Sequence, residues 1–381
     1  MRQVNLLQQL IRFKSITPTD DGCLKFLKQL LQNIGFKCHL IEFQEADLEP
    51  VQNLYARLGK KGINFCFAGH VDVVLPGKES EWQVLPFSGD EVDGCIYGRG
   101  AVDMKGALTA FIEAVRRGMD KSIINQENSI SLLLTADEEG IAINGTKKML
   151  PWLEARNEKI DVCIIGEPTS TNCVGDTIKI GARGSITLTI KVIGKQGHVA
   201  YHQLAQNPIP ILANIIKELK STSLDNGNLY FQPSNLEFTN LSVGNEAENV
   251  IPGSAKVRCN IRFGNMHTAT SLATKIEEIC EKYTNNFDLK WHSSGEAFIT
   301  NYERLAPIVA GAVKEVANID SKINTLGGTS DARFLTKYCP TVEVGLLNKT
   351  AHQINENVSL EDLEILTEIY IKILQKYGIF K

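Results

Sequence analysis

The chain has 381 residues, 43% of them hydrophobic, which is enough for two globular domains. Its formal charge of −4 at pH 7 argues against nucleic-acid binding, and no apolar run approaches the roughly 18 residues of a membrane span. The N-terminus lacks a signal-peptide core, and the nine cysteines are odd in number with no CxxC pair, so we expect reduced thiols and a cytoplasmic protein.

The first half of the chain alternates helical patterns with short apolar strands. We predict an amphipathic helix at residues 1–15, strands at 53–59, 63–70, 129–137 and 161–167, and helices at about 104–117 and 145–154. Fully apolar strands that alternate with helices are typical of a mostly parallel sheet with helices on both faces. This part of the chain is therefore predicted to have an α/β fold.

The pattern changes after Gly181. Alternating strands are predicted at 186–193, 235–243 and 255–263, helices at 207–220 and about 269–283, and a short strand at 287–291. This β-α-β-β-α-β order is that of a ferredoxin-like α+β sandwich with one free sheet face. From about residue 300 the α/β pattern resumes, with a helix, a strand at 341–345 and a last helix at about 359–377. We therefore predict one domain from residues 1–180 and 293–381, with a second domain, 181–292, inserted into it.

Acidic and imidazole side chains gather where the predicted strands of the first domain end. Three acids in a row follow one strand, a His-Val-Asp sequence ends another, one acid ends a third, and two more residues lie in loops: Asp137, Glu138, Glu139, His70, Asp72, Glu167, Asp103 and His352. Because ligands of open α/β sheets bind at the carboxyl ends of the strands, we expect these side chains to share one rim.

Each of these residues also has an ordinary structural interpretation. Asp103 could cap the helix that follows it, Glu167 could be a solvated loop acid, and His70 a hydrogen-bonding loop histidine. Those interpretations do not predict that all of them converge. Two divalent cations, held by imidazoles and carboxylates with one carboxylate bridging, would relieve the repulsion among the acids. In an extended chain His70 and Asp72 point to the same side, so we expect the Asp72 carboxylate to accept a hydrogen bond from the His70 ring.

Seven short motifs occur in order between about residues 67 and 357: GHVDVV, YGRGAVDMKG, TADEEG, GEPT, GHVAY, NVIP and GGTSDARF. Together they resemble the succinyl-diaminopimelate desuccinylase family, within the larger group of di-zinc aminoacylases and carboxypeptidases. The larger group shares GHxD, DEEG and GEP, whereas the longer strings favour the desuccinylases. The resemblance implies a zinc-hydrolase catalytic domain and a dimerisation domain.

The resemblance also implies roles for individual residues. Asp103 would bridge two divalent ions, zinc or else cobalt, with His70 and Glu167 on one ion and Glu139 and His352 on the other. Glu138 would be the general base and Asp72 the orienting acid. The inserted domain would form a homodimer in which His198 reaches the partner's active site and helps to stabilise the oxyanion. The implied substrate contacts are Arg183, Asn249, Arg262, Thr329 and Ser330.

The implied reaction is hydrolysis of N-succinyl-L,L-diaminopimelate to succinate and L,L-diaminopimelate, a step of lysine biosynthesis. Four positions depart from the family pattern: His202, Leu326, Ala332 and Ala351. None is an implied metal ligand, but they bear on substrate specificity. An acetylornithine deacetylase-like or carboxypeptidase-like hydrolase therefore stays an alternative. A metal-retaining binding protein without catalysis is a third interpretation, which the predicted general base disfavours.

Overall fold

The computed structural model describes residues 2–381, which form two compact units. The first unit runs to Gly181 and resumes over Ile299–Lys381, and the second unit is Ala182–Phe298. The predicted insertion spans 181–292. The second unit extends beyond residue 292 because the last strand of its sheet continues to Gly295.

The α-helices are, in chain order, α1 (Gln3–Arg12), α2 (Cys23–Asn33), α3 (Gly106–Asp120), α4 (Thr146–Glu154), α5 (Pro208–Ser221), α6 (Ala269–Glu281), α7 (Leu305–Ala317), α8 (Ala332–Leu335) and α9 (Leu360–Lys376). Short helical turns lie at Glu79–Glu81, Ala101–Lys105, Val199–Leu204 and Asn348–Thr350. Within residues 2–381 no helix combines the length and the apolar content that crossing a membrane requires.

The strands are β1 (Lys37–Phe43), β2 (Val51–Leu58), β3 (Asn64–His70), β4 (Glu91–Val92), β5 (Cys95–Tyr97), β6 (Ser129–Thr135), β7 (Val162–Ile165), β8 (Thr177–Lys179), β9 (Gly181–Ala182), β10 (Gly184–Ile193), β11 (Gly197–His198), β12 (Asn235–Ser242), β13 (Val250–Ile251), β14 (Ser254–Phe263), β15 (Phe287–Gly295), β16 (Phe298–Ile299), β17 (Lys322–Asn324), β18 (Thr341–Glu343) and β19 (Asn357–Ser359).

The first unit is built on an eight-stranded sheet in the order β1-β2-β6-β3-β7-β18-β8-β17. Its centre is parallel, because β3 pairs in parallel with both β6 and β7, and β7 pairs in parallel with β18. Antiparallel pairing occurs where β2 joins β1 and β6, and where Glu343 of β18 pairs with Lys179 of β8. The predicted α/β fold with a largely parallel sheet is therefore confirmed.

Helices bury the central strands of this sheet. Every residue of β3, β6 and β7 is buried, as expected for apolar strands covered on both faces. Three aromatic rings join β3 to α3 and α9: the Phe67 ring lies 4.6 Å from that of Phe111 and 5.9 Å from that of Tyr370. The Tyr370 hydroxyl donates to the Val344 carbonyl at 2.8 Å, so the polar end of this buried ring is satisfied.

The second unit is an α+β sandwich. Its four antiparallel strands lie in the order β12-β14-β10-β15, which is the spatial order expected for a β-α-β-β-α-β chain. Alternate residues of β10, from Ile186 to Val192, are buried in a core that α5 and α6 also form. The ferredoxin-like order predicted from the sequence is therefore present.

The start of α3 differs from the prediction. The helix was expected from about Met104 but begins at Gly106, since Asp103 (φ −121°, ψ 94°) and Met104 (φ −128°, ψ 30°) are not helical. Asp103 is therefore not an N-cap of α3. Its extended backbone instead places its carboxylate among the other grouped side chains.

Candidate metal centre

Three neighbouring parallel strands deliver side chains to the same edge of the large sheet. His70 is the last residue of β3 and pairs with Thr135, the last residue of β6. The loops that follow β6 and β7, which carry the acids, therefore start at the same edge of the sheet as His70. The structure brings His70, Glu139 and Glu167 together with Asp103 and His352, which come from separate loops.

Asp103 lies between the two histidines. Its Oδ1 is 3.2 Å from Nε2 of His70, and its Oδ2 is 3.1 Å from Nε2 of His352. Each carboxylate oxygen thus faces a different imidazole, as a bridging carboxylate requires.

The His70 ring is oriented by the main chain. Its Nδ1 lies 2.9 Å from the carbonyl oxygen of Asp72, and since a carbonyl can only accept, Nδ1 carries the proton. The Asp72 carboxylate is 3.7 Å from Nδ1, too far for a hydrogen bond, so the prediction that this carboxylate accepts from the His70 ring is wrong. The carboxylate is turned instead to the backbone N–H of Glu139 at 3.0 Å and of Glu138 at 3.4 Å. Asp72 therefore holds both the imidazole and the acidic loop.

Buried polar atoms without partners mark one possible metal-binding site. Among residues 2–381, Nε2 of His70, Oδ1 of Asp103 and Oε1 of Glu167 have no hydrogen-bond partner. Nε2 is 3.2 Å from the Asp103 oxygen and 3.7 Å from the Glu167 oxygen. Tetrahedral zinc with bonds of about 2.0–2.1 Å separates its ligands by about 3.3 Å. The donor atoms and their spacing therefore fit a zinc-sized cation.

The second group is centred on His352. Its Nε2 lies 2.8 Å from Oε1 of Glu139 and 3.1 Å from Oδ2 of Asp103. Hydrogen bonding to Asp103 and Glu139 raises the pKa of His352 to about 10. This strongly negative environment binds a proton and would equally bind a cation. His70, Asp103 and Glu139 also place one ligand atom each within 4.8 Å of one another.

Glu138 lies in the same cluster, where Glu138, His70 and Glu167 also bring ligand atoms within 4.8 Å of one another. Burial raises the pKa of Glu138 well above its usual value, and the charges of Glu139, Asp103 and Asp331 add to that effect against the opposing charge of His70. A carboxylate in this environment takes up a proton readily. That property suits a general base at neutral pH.

Asp137, the first acid of the run, has a different role, which the sequence did not reveal. Its Oδ1 accepts from the N–H of Ala142 at 3.1 Å, and its Oδ2 accepts from Ile143 at 2.9 Å and Asn144 at 2.8 Å. The buried carboxylate therefore closes the loop that carries Glu138 and Glu139. Three adjacent acids give no sequence signal that separates this loop-closing residue from its neighbours.

A cavity of about 330 Å³ opens beside the grouped side chains. Its walls include Asp103, Glu138, Glu139, Glu167, His352, Thr329, Ser330 and Lys179. Ser330 donates to Oε1 of Glu343 at 2.8 Å, and Lys179 donates to Oε2 of the same carboxylate at 2.8 Å. The predicted substrate contacts Thr329 and Ser330 thus line this cavity, as does Lys179, which the sequence analysis missed.

The other four predicted site residues belong to the second unit and form two pairs. His198 on β11 pairs with Val250 on β13, and Val199 donates to the Asn249 carbonyl at 3.1 Å, so His198 and Asn249 are neighbours. Arg183 donates to Oδ1 of Asn235 at 2.9 Å. Burial lowers the pKa of Arg183, and the nearby charge of Arg262 lowers it further.

Comparison with known proteins agrees with the resemblance found in the motifs. The succinyl-diaminopimelate desuccinylase of Rhodospirillum centenum is 48% identical over 374 residues, which cover 98% of this chain and 97% of that protein. The corresponding enzyme of Pelagibacter ubique is 47% identical over 381 residues, which cover 98% of each chain.

A solved structure shares the fold at low sequence identity. The M20 family metallo-carboxypeptidase Sso-CP2 from Sulfolobus solfataricus superposes with a TM-score of 0.79 over 100% of both chains at 19% identity. Residues 66–376 match the sequence pattern of the peptidase family M20/M25/M40. The carboxylates and imidazoles at the sheet edge thus lie on a chain that belongs to the peptidase family M20/M25/M40.

Proposed function

We propose that this protein is a metal-dependent amide hydrolase that cleaves N-succinyl-L,L-diaminopimelate to succinate and L,L-diaminopimelate. The observation that carries the proposal is the position of Asp103, with one oxygen toward His70 and the other toward His352. Full-length identity of 47–48% to enzymes of that name supports the choice of substrate.

Five residues would hold two divalent ions. Asp103 would bridge them, His70 and Glu167 would complete one site, and Glu139 and His352 would complete the other. Zinc fits this mixture of imidazole and carboxylate donors, and cobalt is the alternative. When bound, such ions polarise the amide carbonyl and make water a stronger nucleophile near neutral pH.

Proton transfer falls to Glu138. Its carboxylate takes a proton from the attacking water as the water oxygen bonds to the amide carbon; the C–N bond of the succinyl amide then breaks, and the same carboxylate delivers the proton to the departing amine. Burial raises the pKa of Glu138 toward neutral pH, and a carboxylate of that kind can both accept a proton and release it again. Asp72 supports both steps, because its carbonyl orients His70 and its carboxylate holds the backbone at Glu138.

The substrate's carboxylates require cationic and polar contacts. We assign Arg183 and Arg262 to them, because a guanidinium group binds a carboxylate through two parallel hydrogen bonds. Asn249, Thr329 and Ser330 complete the proposed contacts. We also propose that the protein is a cytoplasmic homodimer in which His198 of one protomer donates to the oxyanion in the other.

Direct assay of the reaction tests the proposal. Purified protein loaded with zinc, and separately with cobalt, is given synthetic N-succinyl-L,L-diaminopimelate or N-acetylornithine, and succinate, acetate and free amine are measured. We expect succinate and new amine in equal amounts from the first compound and far slower release from the second. Preferred cleavage of acetylornithine would show a related deacylase instead, and no cleavage of either would contradict the hydrolase proposal.

A further inference from the structure

A buried ion pair contacts the backbone of two residues of the candidate metal centre, Asp103 and His352. Arg99 is 2% exposed and Glu356 is fully buried, and Nη1 of Arg99 lies 2.7 Å from Oε2 of Glu356. The two residues are 257 positions apart in the chain, and the pair adds to the contact that β5 and β19 already make between the same two segments. Neither residue carried a role in the sequence analysis.

Glu356 holds the turn that carries Asp103. Its Oε1 accepts from the N–H of Val102 at 2.9 Å and of Asp103 at 3.2 Å, and its Oε2 accepts from the N–H of Gly100 at 3.0 Å. This turn is not helical at Asp103, so it lacks the regular hydrogen bonds of a helix there. One carboxylate supplies the acceptors that these amides need.

Arg99 holds the loop that carries His352. Its guanidinium donates to the carbonyls of Gln353 at 3.2 Å and His352 at 3.4 Å, and to that of Leu75 at 3.3 Å. His352 has a φ of 60°, in the left-handed region that costs energy for residues other than glycine. Such a conformation persists only where its surroundings enforce it, and the bonds from Arg99 do so.

A buried ion pair is a poor source of net stability, because desolvation of both charges offsets their attraction. We propose that the Arg99–Glu356 pair is a positioning device, which locks the turn of Asp103 against the loop of His352 so that both side chains meet one metal ion. The inference rests on the proposed metal centre and adds two residues that touch neither the ion nor the substrate.

The variant Glu356→Gln tests this role through metal affinity. Wild-type and variant protein are titrated with zinc against a chromophoric chelator, and with cobalt while its visible absorption bands are recorded. We expect the ion held by Glu139 and His352 to bind about 10- to 100-fold more weakly, with altered cobalt bands. The ion held by His70 and Glu167 should lose less affinity, because those residues end or follow β3 and β7, which the sheet itself positions.

Glu113→Gln is the matched control. Glu113 is also a buried carboxylate paired with arginines, since it accepts from Arg116 at 2.7 Å and Arg117 at 2.8 Å, but it lies within α3. The control should lose thermal stability and keep both zinc affinities and the cobalt spectrum. If Glu356→Gln folds and binds both ions as tightly as the wild type, the inference is wrong, whatever its thermal stability.

The variant Arg99→Lys tests the same positioning role if Glu356→Gln does not fold. Lysine keeps the charge beside Glu356 but cannot reach three carbonyls at once, so the same weakening at the His352 site is expected. Unchanged affinity at that site would overturn the inference. A wild-type protein that binds fewer than two ions would instead refute the proposed metal centre, so the two failures can be told apart.

Discussion

Replacing Asp137 by asparagine separates the loop-closing acid from the two acids assigned to chemistry. The aspartate carboxylate accepts three backbone N–H groups, from Ala142, Ile143 and Asn144. Asparagine keeps one oxygen, which can still serve the two amides that share Oδ2, but it presents its own N–H₂ group to Ala142. At least one hydrogen bond to a charged acceptor is therefore lost.

The magnitude follows from that single bond. A hydrogen bond to a charged group contributes about 1.5–3 kcal/mol, so the free energy of opening the 138–144 loop should fall by about that amount. Since about 1.36 kcal/mol is a factor of ten, the amides of residues 142–144 should exchange with solvent roughly 10- to 150-fold faster. Hydrogen exchange followed by mass spectrometry of peptides across this loop measures the effect.

Asp176→Asn provides the control for this experiment. The Asp176 carboxylate accepts from the N–H groups of Thr171, Asn172 and Cys173 at 2.8, 2.8 and 3.3 Å, so it closes a different loop in the same way. This control should speed exchange at 171–173 and leave 142–144 unchanged. Exchange at 142–144 within threefold of wild type in Asp137→Asn would refute the loop-closing role.

Three further predictions concern the candidate centre itself. Glu138→Gln should lower turnover at least 10²–10⁴-fold, the usual contribution of a positioned acid–base group, while elemental analysis still finds the wild-type metal content; turnover near wild type would remove Glu138 as the base. Asp103→Ala should weaken both zinc ions in a chelator titration, and one ion bound as tightly as before would exclude a bridging role. Because Asp103 and Glu139 raise the pKa of His352 to about 10, zinc must displace a proton from that ring at pH 7. The apparent affinity for the zinc ion held by Glu139 and His352 should therefore rise about tenfold per pH unit between pH 7 and 9. An affinity that does not change with pH would contradict this proton release.

The sequence was most informative where local pattern determines structure. The apolar runs that became β3, β6 and β7 are recognisable because both of their faces are buried, and the residues at their ends then fall on one edge. The alternating strands of the second unit were recognisable for a different reason, because only one face of each is buried. Strands β8 and β17 escaped prediction, because three residues are too few to show a period; β18 is as short and was recognised only within the longer stretch 341–345. Helix α2 and the seven-residue strand β1 were not predicted either.

Interactions between distant segments could not be predicted in this way. The period of an extended chain correctly placed Asp72 on the same side as His70, but it could not tell the carbonyl from the carboxylate as the hydrogen-bond partner. The pairing of Arg99 with Glu356 links the turn at Asp103 to the C-terminal part of the chain. Such contacts depend on tertiary packing, and no motif or spacing in a single sequence encodes them.

The order of the chain has a consequence for synthesis on the ribosome. Glu167 precedes the second unit, whereas His352 and Glu356 follow it. The whole of Ala182–Phe298 is therefore translated, and can fold, before the last side chains of the centre emerge. During that interval the proposed centre lacks His352, and the turn of Asp103 lacks Glu356, which accepts its backbone N–H groups.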